Sequence, residues 1–380
     1  MKKYFFFAAA ALVALASCSK VEPEDQNGPE ISFQTANYLN STKADSDGHV
    51  EFYSAGKFNV AGYFTPGAWA NLSGATAYMG NGASGSFVEI SNVDGTWKNT
   101  TTPYYWPKAG KLSFIGYYPS SVSATVTGTN SLAVSFSNYS VAETLSSQAS
   151  NVTTDATVVT DDKNDLMVAD AIYDQTSNNS EDQHFKNGVA MIFHHTLAKI
   201  KFFAKQKTLE GIQADANLPL KVVINDLQVK AINNIGSFNG SEWTPTAAVT
   251  TASGAFVTNA APTTGVPYAG TPLTTDAVAQ GSQYYVLPQN LSADTKIVYI
   301  KYYVYTYDKN DGNKVVDVQM YQKNIPLNTM EKSDKTKITS WDINKVYTYT
   351  ITIDPFSGEI YFDPAVVDWT DADAAEVIEK

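Results

Sequence analysis

The sequence has a single cysteine, Cys18, and no arginine, so that lysine supplies all 26 basic residues against 38 acidic ones. Because a disulfide needs two thiols, packed cores must hold the folded domains together, and a cysteine-based zinc site is excluded. The net charge of −12 leaves no basic surface on which nucleic acid could bind. The same charge disfavours binding to an anionic membrane surface.

Charged residues are also scarce, at 17%, and the sequence has no sustained 3.6-residue apolar period and no repeat of fixed length. Instead, 23 tyrosines and 18 phenylalanines fall mainly in short apolar runs separated by Gly, Asn, Ser, Thr and Asp, a pattern that favours strands. Asp311-Gly312 is typical of a hairpin turn, so residues 299–307 and 314–321 should pair antiparallel. We therefore predict an all-β chain of antiparallel β-sandwiches.

The first 17 residues are predicted to be a signal peptide. Two lysines precede an apolar run over residues 4–16, which is shorter than the roughly 20 residues that a membrane-spanning helix needs. The run ends in Leu-Ala-Ser-Cys, which resembles the bacterial lipobox, in which the chain is cut just before the cysteine and the cysteine is lipidated. We therefore expect Cys18 to be the lipidation site, and the acidic, proline-containing residues 18–30 to be a tether.

Two stretches invite a metal-site interpretation. Asp161, Asp162 and Asp165 cluster in an acidic segment, for which weak Ca²⁺ binding and a solvated loop are both open. His194 and His195 are adjacent, and adjacent side chains of a strand point to opposite faces, so they are a poor pair of ligands for one ion. We predict an inward, hydrogen-bonded His195 with His194 as its outward neighbour. No metal and no other cofactor is predicted, and the sequence has no nucleophile-elbow motif.

The histidines belong to a longer pattern. "FHHTLAKIKF", residues 193–202, is similar to the F-x-H-x-L-A-K-I signature of fimbrillin-like lipoproteins, the subunits of type V pili of Gram-negative anaerobes. Further stretches resemble motifs of that family in the same order along the chain, namely "YYWPKAGKLSFIGYYP" (104–119), "DLMVA" (165–169), "INDLQVKAINNIGSFNGSEW" (224–243), "YTYTITI" (347–353) and "VVDW" (366–369).

The resemblance implies a fold of two tandem antiparallel β-sandwich domains of transthyretin-like, Greek-key type after the signal peptide. A polar stretch, residues 176–188, suits a domain boundary, so we expect an N-terminal domain over residues 31–185 and a C-terminal domain over 186–380.

The resemblance also implies how such a subunit assembles. In polymerising relatives, a protease cuts after a basic residue near the mature N-terminus, the first strand leaves, and a donor strand from the C-terminal region of the next subunit takes its place. Here Lys43, followed by Ala44, stands where arginine is usual, so either a lysine-tolerant protease acts or the chain keeps its lipid as an anchor or accessory subunit. That Lys43 is simply an exposed lysine of a loop is equally open. The residues expected in the donor strand are Glu359, Ile360, Tyr361, Phe362, Val366, Val367 and Trp369.

The resemblance thus implies a structural or adhesive pilus subunit or anchor, not an enzyme. The chain is expected to be surface-exposed, lipid-anchored in the outer membrane, and in the fimbrium once processed. Its expected partners are other pilus subunits and, for adhesion, ligands on host or bacterial surfaces. The alternative is a surface lipoprotein that binds glycans through exposed aromatic residues such as Trp69, Trp97 and Tyr104.

Overall fold

A computed structural model of the protein describes residues 28–38, 49–51, 57–83, 86–141, 165–177, 188–208, 220–248, 254–258, 266–268, 271–281 and 284–368. The regular structure in these ranges consists of β-strands and two short 3-10 turns, Leu72–Gly74 and Leu327–Thr329. The prediction of an all-β chain is therefore confirmed. Within the same ranges, no helix has the length and hydropathy needed to cross a membrane.

The strands of the N-terminal half are β1 (Phe33–Tyr38), β2 (His49–Glu51), β3 (Lys57–Thr65), β4 (Thr76–Met79), β5 (Val88–Val93), β6 (Thr96–Lys98), β7 (Lys111–Tyr118), β8 (Thr125–Thr127), β9 (Ala133–Ser140), β10 (Met167–Ala169), β11 (Ile172–Gln175) and β12 (Val189–His195). Those of the C-terminal half are β13 (Ala198–Gln206), β14 (Leu220–Lys230), β15 (Asn233–Phe238), β16 (Trp243–Ala248), β17 (Gly254–Thr258), β18 (Val278–Ala279), β19 (Tyr284–Val286), β20 (Gln289–Asn290), β21 (Ile297–Tyr307), β22 (Val315–Pro326), β23 (Ser340–Trp341), β24 (Lys345–Ile353) and β25 (Ile360–Asp368).

The largest sheet of the N-terminal half closes on itself. Its strands follow the order β11-β7-β10-β12-β1-β6-β5-β3-β4, and β7 also pairs with β3. Seven strands, β7, β10, β12, β1, β6, β5 and β3, therefore form a continuous ring around a core of aromatic and aliphatic side chains. On the outside of this ring, a four-stranded sheet in the order β16-β15-β9-β8 packs through a second core.

Two sheets face each other in the C-terminal half. One runs β18-β13-β24-β25, with β19 also on β13, and the other runs β17-β14-β21-β22. Alternate residues of β13, such as Ile200 and Phe202, are buried between the sheets, while Lys199 and Lys201 are only half-buried. The predicted hairpin is confirmed, because β21 pairs antiparallel with β22 from Ile297↔Pro326 to Tyr307↔Val315.

The division of the strands differs from the boundary expected at residue 186. Strand β12 pairs with β1 and β10 inside the N-terminal ring, whereas β13 pairs with β24 in the C-terminal half. The chain passes from one half to the other at Thr196 and Leu197, both of which are buried. The polar stretch over 176–188 lies along the chain between β11 and β12, two strands of the same sheet, so its composition marks a connection within that half.

The two halves also share a core. Strand β9 pairs with β15, and buried residues from both sides of the crossing, including Phe136, Leu197 and Phe238, belong to one apolar cluster. The rings of Phe136 and Phe238 stack with centroids 6.0 Å apart. The halves are therefore joined by packing and strand pairing in addition to the chain itself.

Candidate assembly site: strands β1 and β25

Strand β1 completes the N-terminal ring. It runs parallel to β12 over five residue pairs, from Phe33↔Val189 to Asn37↔Phe193. On its other side it pairs with β6 only at Phe33↔Trp97, and with the short strand β2 at three positions. Within the part of the chain that the structure describes, β1 is therefore the element that joins β12 to β6.

The residues just before β1 extend this contact. The amide of Ile31 donates to the carbonyl oxygen of Tyr104 at 2.7 Å. The amide of Trp106 donates to the carbonyl oxygen of Pro29 at 3.1 Å. Glu30 forms a β-bridge with Tyr105, and its carboxylate lies 3.3 Å from Nζ of Lys98. The tether expected over 18–30 thus differs from the structure at its end, because Pro29 and Glu30 already pair with the ring.

Two apolar side chains of this segment fill the ring. Ile31 is 2% exposed and Phe33 is 1% exposed, whereas Ser32 and Gln34 are half-buried on the opposite face. The alternation follows from the two-residue period of a strand. Phe33 packs edge-to-face on two other core rings, with centroids 6.1 Å from Phe58 and 5.5 Å from Phe114.

The expected processing residues follow β1 in the sequence. Lys43 and Ala44 lie between β1 and β2 along the chain, and both fall outside the described residues, as do Cys18 and Trp369. Lys43 is the only basic residue between Lys20 and Lys57. A cut there by a lysine-directed protease would break the covalent link between β1 and the rest of the ring.

Strand β25 contains five of the residues expected in the donor strand, namely Ile360, Tyr361, Phe362, Val366 and Val367, and it lies at a sheet edge. Among the described strands it pairs only with β24, antiparallel, from Ile353↔Ile360 to Lys345↔Asp368. Ile360, Phe362 and Val366 face the C-terminal core and are half-buried, while Tyr361 and Val367 are 45% and 49% exposed. This edge strand therefore has an apolar face that its own sandwich covers only in part.

Polar contacts hold both ends of β25. Lys345 pairs with Asp368 at one end. At the other end, Lys207 lies 3.0 Å from Asp354 and 5.2 Å from the ring centroid of Tyr361. These pairs are partly exposed, so solvent screening keeps their contribution to stability small.

The turn before β25 is organised by Asp354. Its Oδ1 accepts hydrogen bonds from the amides of Phe356 (2.9 Å) and Ser357 (3.2 Å). Burial alone would raise the pKa of Asp354, but the hydrogen bonds from Phe356, Lys207 and Ser357 outweigh it and hold the pKa below its ordinary value of 3.8. The turn is therefore fixed by an ionised carboxylate.

The two histidines are separated as predicted. His195 is 3% exposed, and its Nδ1 lies 2.7 Å from Oδ1 of Asp165, which is fully buried. His194, on the other face, lies 2.9 Å from Asp170. In the described part of the chain, no group of three or more His, Cys, Asp or Glu side chains could hold a metal ion.

Of the acidic cluster considered for Ca²⁺, the structure describes only Asp165. Asp165 is buried on His195, because a carboxylate taken out of water needs a charged or hydrogen-bonding partner. Asp161 and Asp162 lie outside the described residues.

The aromatic residues considered for glycan binding do not form an exposed surface. Trp97 is 6% exposed and packs on Phe58 in the ring, with centroids 5.4 Å apart. Trp69 is half-buried against Tyr173 and donates its indole N–H to the carbonyl oxygen of Asn130. Tyr104 is half-buried at the Ile31 contact. The expectation that these side chains are exposed is wrong, because each packs on a core.

The residues that fill the site are not evident from the sequence alone. Glu30 falls in the predicted tether, and the sequence predicts no role for Ile31, Phe33 or Lys98. The alternation of Ile31 and Phe33 was a usable signal for a half-buried strand, but it is only two apolar residues long.

Comparison with known proteins places the chain in a family. The profile described as Fimbrillin-like matches residues 67–369. The chain belongs to the Fimbrillin-like family. No curated protein matches the sequence.

One solved structure shares the fold of this chain. A fimbrial protein from Bacteroides vulgatus is similar with a TM-score of 0.53 and 16% identity, over 90% of this chain and 99% of that chain. A fimbrilin from Porphyromonas gingivalis has a TM-score of 0.40 and 11% identity, over 90% of this chain and 97% of that chain. At 16% identity, the similarity to the Bacteroides vulgatus protein shows a shared fold alone. The similarity to the fimbrilin has a lower TM-score and adds no argument.

Proposed function

We propose that this chain is a non-enzymatic subunit or anchor of a fimbrillin pilus, which joins its neighbour by exchanging β1 for a strand of another subunit. One observation carries the proposal: β1 completes the ring between β12 and β6 and precedes Lys43, the only lysine between Lys20 and Lys57. A single cut would therefore detach a strand that the ring needs.

The physical consequence of losing β1 is large. The edge of β12 would lose its five residue pairs, and the space that Ile31 and Phe33 fill would open to water. Burying each such side chain contributes roughly 1.5–3 kcal/mol, and unpaired strand edges readily accept another strand. An extended segment with alternating apolar residues would restore both the strand pairing of β12 and the apolar burial in the ring.

The proposed donor is β25 of the next subunit, with Glu359, Ile360, Tyr361, Phe362, Val366, Val367 and Trp369. Its position at a sheet edge and its half-buried apolar face support this role. An edge strand pairs with one neighbouring strand, so its departure breaks fewer backbone hydrogen bonds than the departure of a central strand.

The proposal extends to location and domains. The lipobox-like sequence at Cys18 supports lipid anchoring in the outer membrane, so that an uncut chain is an anchor and a chain cut before Ala44 enters the fimbrium. Its partners are then other pilus subunits, and its adhesion ligands lie on host or bacterial surfaces. We also propose two tandem transthyretin-like domains that meet at 196–197, where strand pairing changes from one half to the other.

Limited trypsin digestion tests the proposal. The full chain is digested briefly, the cut is located by mass spectrometry, and the products are viewed by electron microscopy. Cleavage after Lys43 should give fibres or ladders of subunits. The Lys43→Gln variant is the matched control and should stay monomeric under the same digestion. Cleavage after Lys43 that yields only monomers would overturn the proposal.

A further inference from the structure

We propose that β25 of a second copy enters the place of β1 in one fixed register, with Glu359, Ile360 and Phe362 in the positions of Glu30, Ile31 and Phe33. This inference rests on the proposed function and adds to it the register of the incoming strand and the residues that select it.

The first observation is a match between the two segments. Residues 30–36 read "EISFQTA" and residues 359–365 read "EIYFDPA". Glutamate, isoleucine, phenylalanine and alanine recur at the same spacing in the segment that begins before β1 and runs into it, and in the segment that begins just before β25 and runs into it. A second copy of the chain therefore offers the ring nearly the same apolar side chains that β1 provides.

The second observation is the difference in burial. Ile31 and Phe33 are almost completely buried, whereas Ile360 and Phe362 are only half-buried on the edge of their own sandwich. Ile31 and Phe33 face the core of the ring, and Ile360 and Phe362 face the core of the C-terminal sandwich. The inward and outward positions therefore match between the two segments. Moving β25 into the ring would bury both side chains more fully, and this gain offsets part of the nine residue pairs with β24 that the strand gives up.

The backbone hydrogen bonds permit the same register. The amide of Val189 on β12 donates to the carbonyl oxygen of Ser32, while Ile31 bonds to Tyr104 on the opposite side. Because these directions alternate along a strand, Thr35 directs its amide away from β12. Pro364 takes the position of Thr35 in the proposed register, so its missing N–H removes no bond to β12.

Charge adds a selective contact. Lys98 lies 3.3 Å from the carboxylate of Glu30, and a cut at Lys43 would remove Glu30 together with β1. In the proposed register, Glu359 of the second copy restores the partner of Lys98. A slip by one residue would turn Tyr361 and Asp363 toward the core. A slip by two, with Phe362 at Ile31, would place Pro364 where Phe33 fills the ring.

Disulfide trapping tests the register. Gln34 pairs with Ala190 on β12, so Asp363 of a second copy should lie beside Ala190. The full chain carrying Cys18→Ser, Ala190→Cys and Asp363→Cys is cut with trypsin and oxidised, and covalent multimers are resolved on a non-reducing gel. The matched control replaces Asp363→Cys by Tyr361→Cys, which lies two residues away, about 6.6 Å along the strand and out of disulfide reach.

The proposal expects a ladder of covalent multimers from the Asp363→Cys chain, and a ladder at least ten times weaker from the Tyr361→Cys chain. Non-covalent polymers that form without a ladder, or a ladder that is stronger with Tyr361→Cys, would overturn the register and leave strand exchange intact. Failure of the cut wild-type chain to polymerise would overturn the proposed function and this inference with it.

Charge reversal gives a second, independent readout. Lys98→Glu should slow polymerisation of the cut chain, Glu359→Lys should slow it similarly, and the double variant should recover most of the rate. Two single variants that slow assembly without recovery in the double variant would contradict a contact between Lys98 and Glu359.

Discussion

The rings of Phe33 and Phe114 meet edge-to-face, with centroids 5.5 Å apart and an interplanar angle of 89°. Phe33 belongs to the strand that precedes Lys43, and Phe114 lies on β7, which pairs with β10 and β3 in the same ring. The N-terminal strand is therefore part of the core, although cleavage at one lysine would detach it.

Truncating Phe33 should destabilise the uncut chain strongly. We expect Phe33→Ala to lower the free energy of unfolding by about 3–5 kcal/mol, because it leaves a cavity in a closely packed aromatic cluster. Urea unfolding followed by circular dichroism measures this. The matched control Gln34→Ala, on the half-buried face of the same strand, should change stability by less than about 0.5 kcal/mol. Equal effects of the two substitutions would contradict the role given to Phe33.

The two His–Asp pairs should differ in their contribution to stability. Asp165→Ala leaves buried His195 without this partner and should destabilise the fold by about 3–5 kcal/mol. Asp170→Ala affects the more exposed pair with His194 and should change stability by no more than about 1 kcal/mol. Urea midpoints of the two variants give the comparison, and an Asp165→Ala chain as stable as the wild type would show that the buried pair is not structural.

Asp354 should make the turn before β25 sensitive to acid. Its pKa is lower folded than unfolded, so the ionised carboxylate contributes stability above its unfolded pKa, and this contribution is lost as pH falls through the folded pKa. Asp354→Asn should therefore lower stability by about 1 kcal/mol at pH 7. The difference from the wild type should shrink below about pH 4. Unfolding curves at pH 7 and pH 3 check this, and a difference that grows in acid would refute it.

Gly358 should resist substitution. Its φ is +67°, and a Cβ built there would lie 2.5 Å from the ring of Tyr321. We expect Gly358→Ala to lower the free energy of unfolding by more than about 1 kcal/mol, because alanine at a positive φ is strained. Gly312→Ala is the control, because nothing lies within 4 Å of a Cβ at that position. Thermal midpoints of the two variants should differ by several degrees, and matching midpoints would contradict the close contact.

Local patterns accounted for much of the fold. The hairpin of β21 and β22 followed from a turn dipeptide between two apolar runs, and the opposite directions of His194 and His195 followed from the alternation of a strand. Both features are encoded within a few residues, which is why the sequence alone could predict them.

Long-range pairing could not be predicted in the same way. Strand β1 is short and polar in appearance, and its parallel partner β12 lies far along the chain. Likewise, His195 could be assigned an inward direction from alternation, but Asp165 could not be named as its partner, because the fold brings together residues that are 30 positions apart. Three-dimensional pairing, rather than composition, therefore identified the site.

The account depends most on whether β1 is absent from assembled fibres. Fibres purified from cells that produce the chain can be dissociated and digested, and the N-terminal residue and peptide coverage determined by mass spectrometry. Strand exchange predicts subunits that begin at Ala44, with no peptide from residues 28–38 in the fibre. Fibres whose subunits retain residues 28–38 would contradict it.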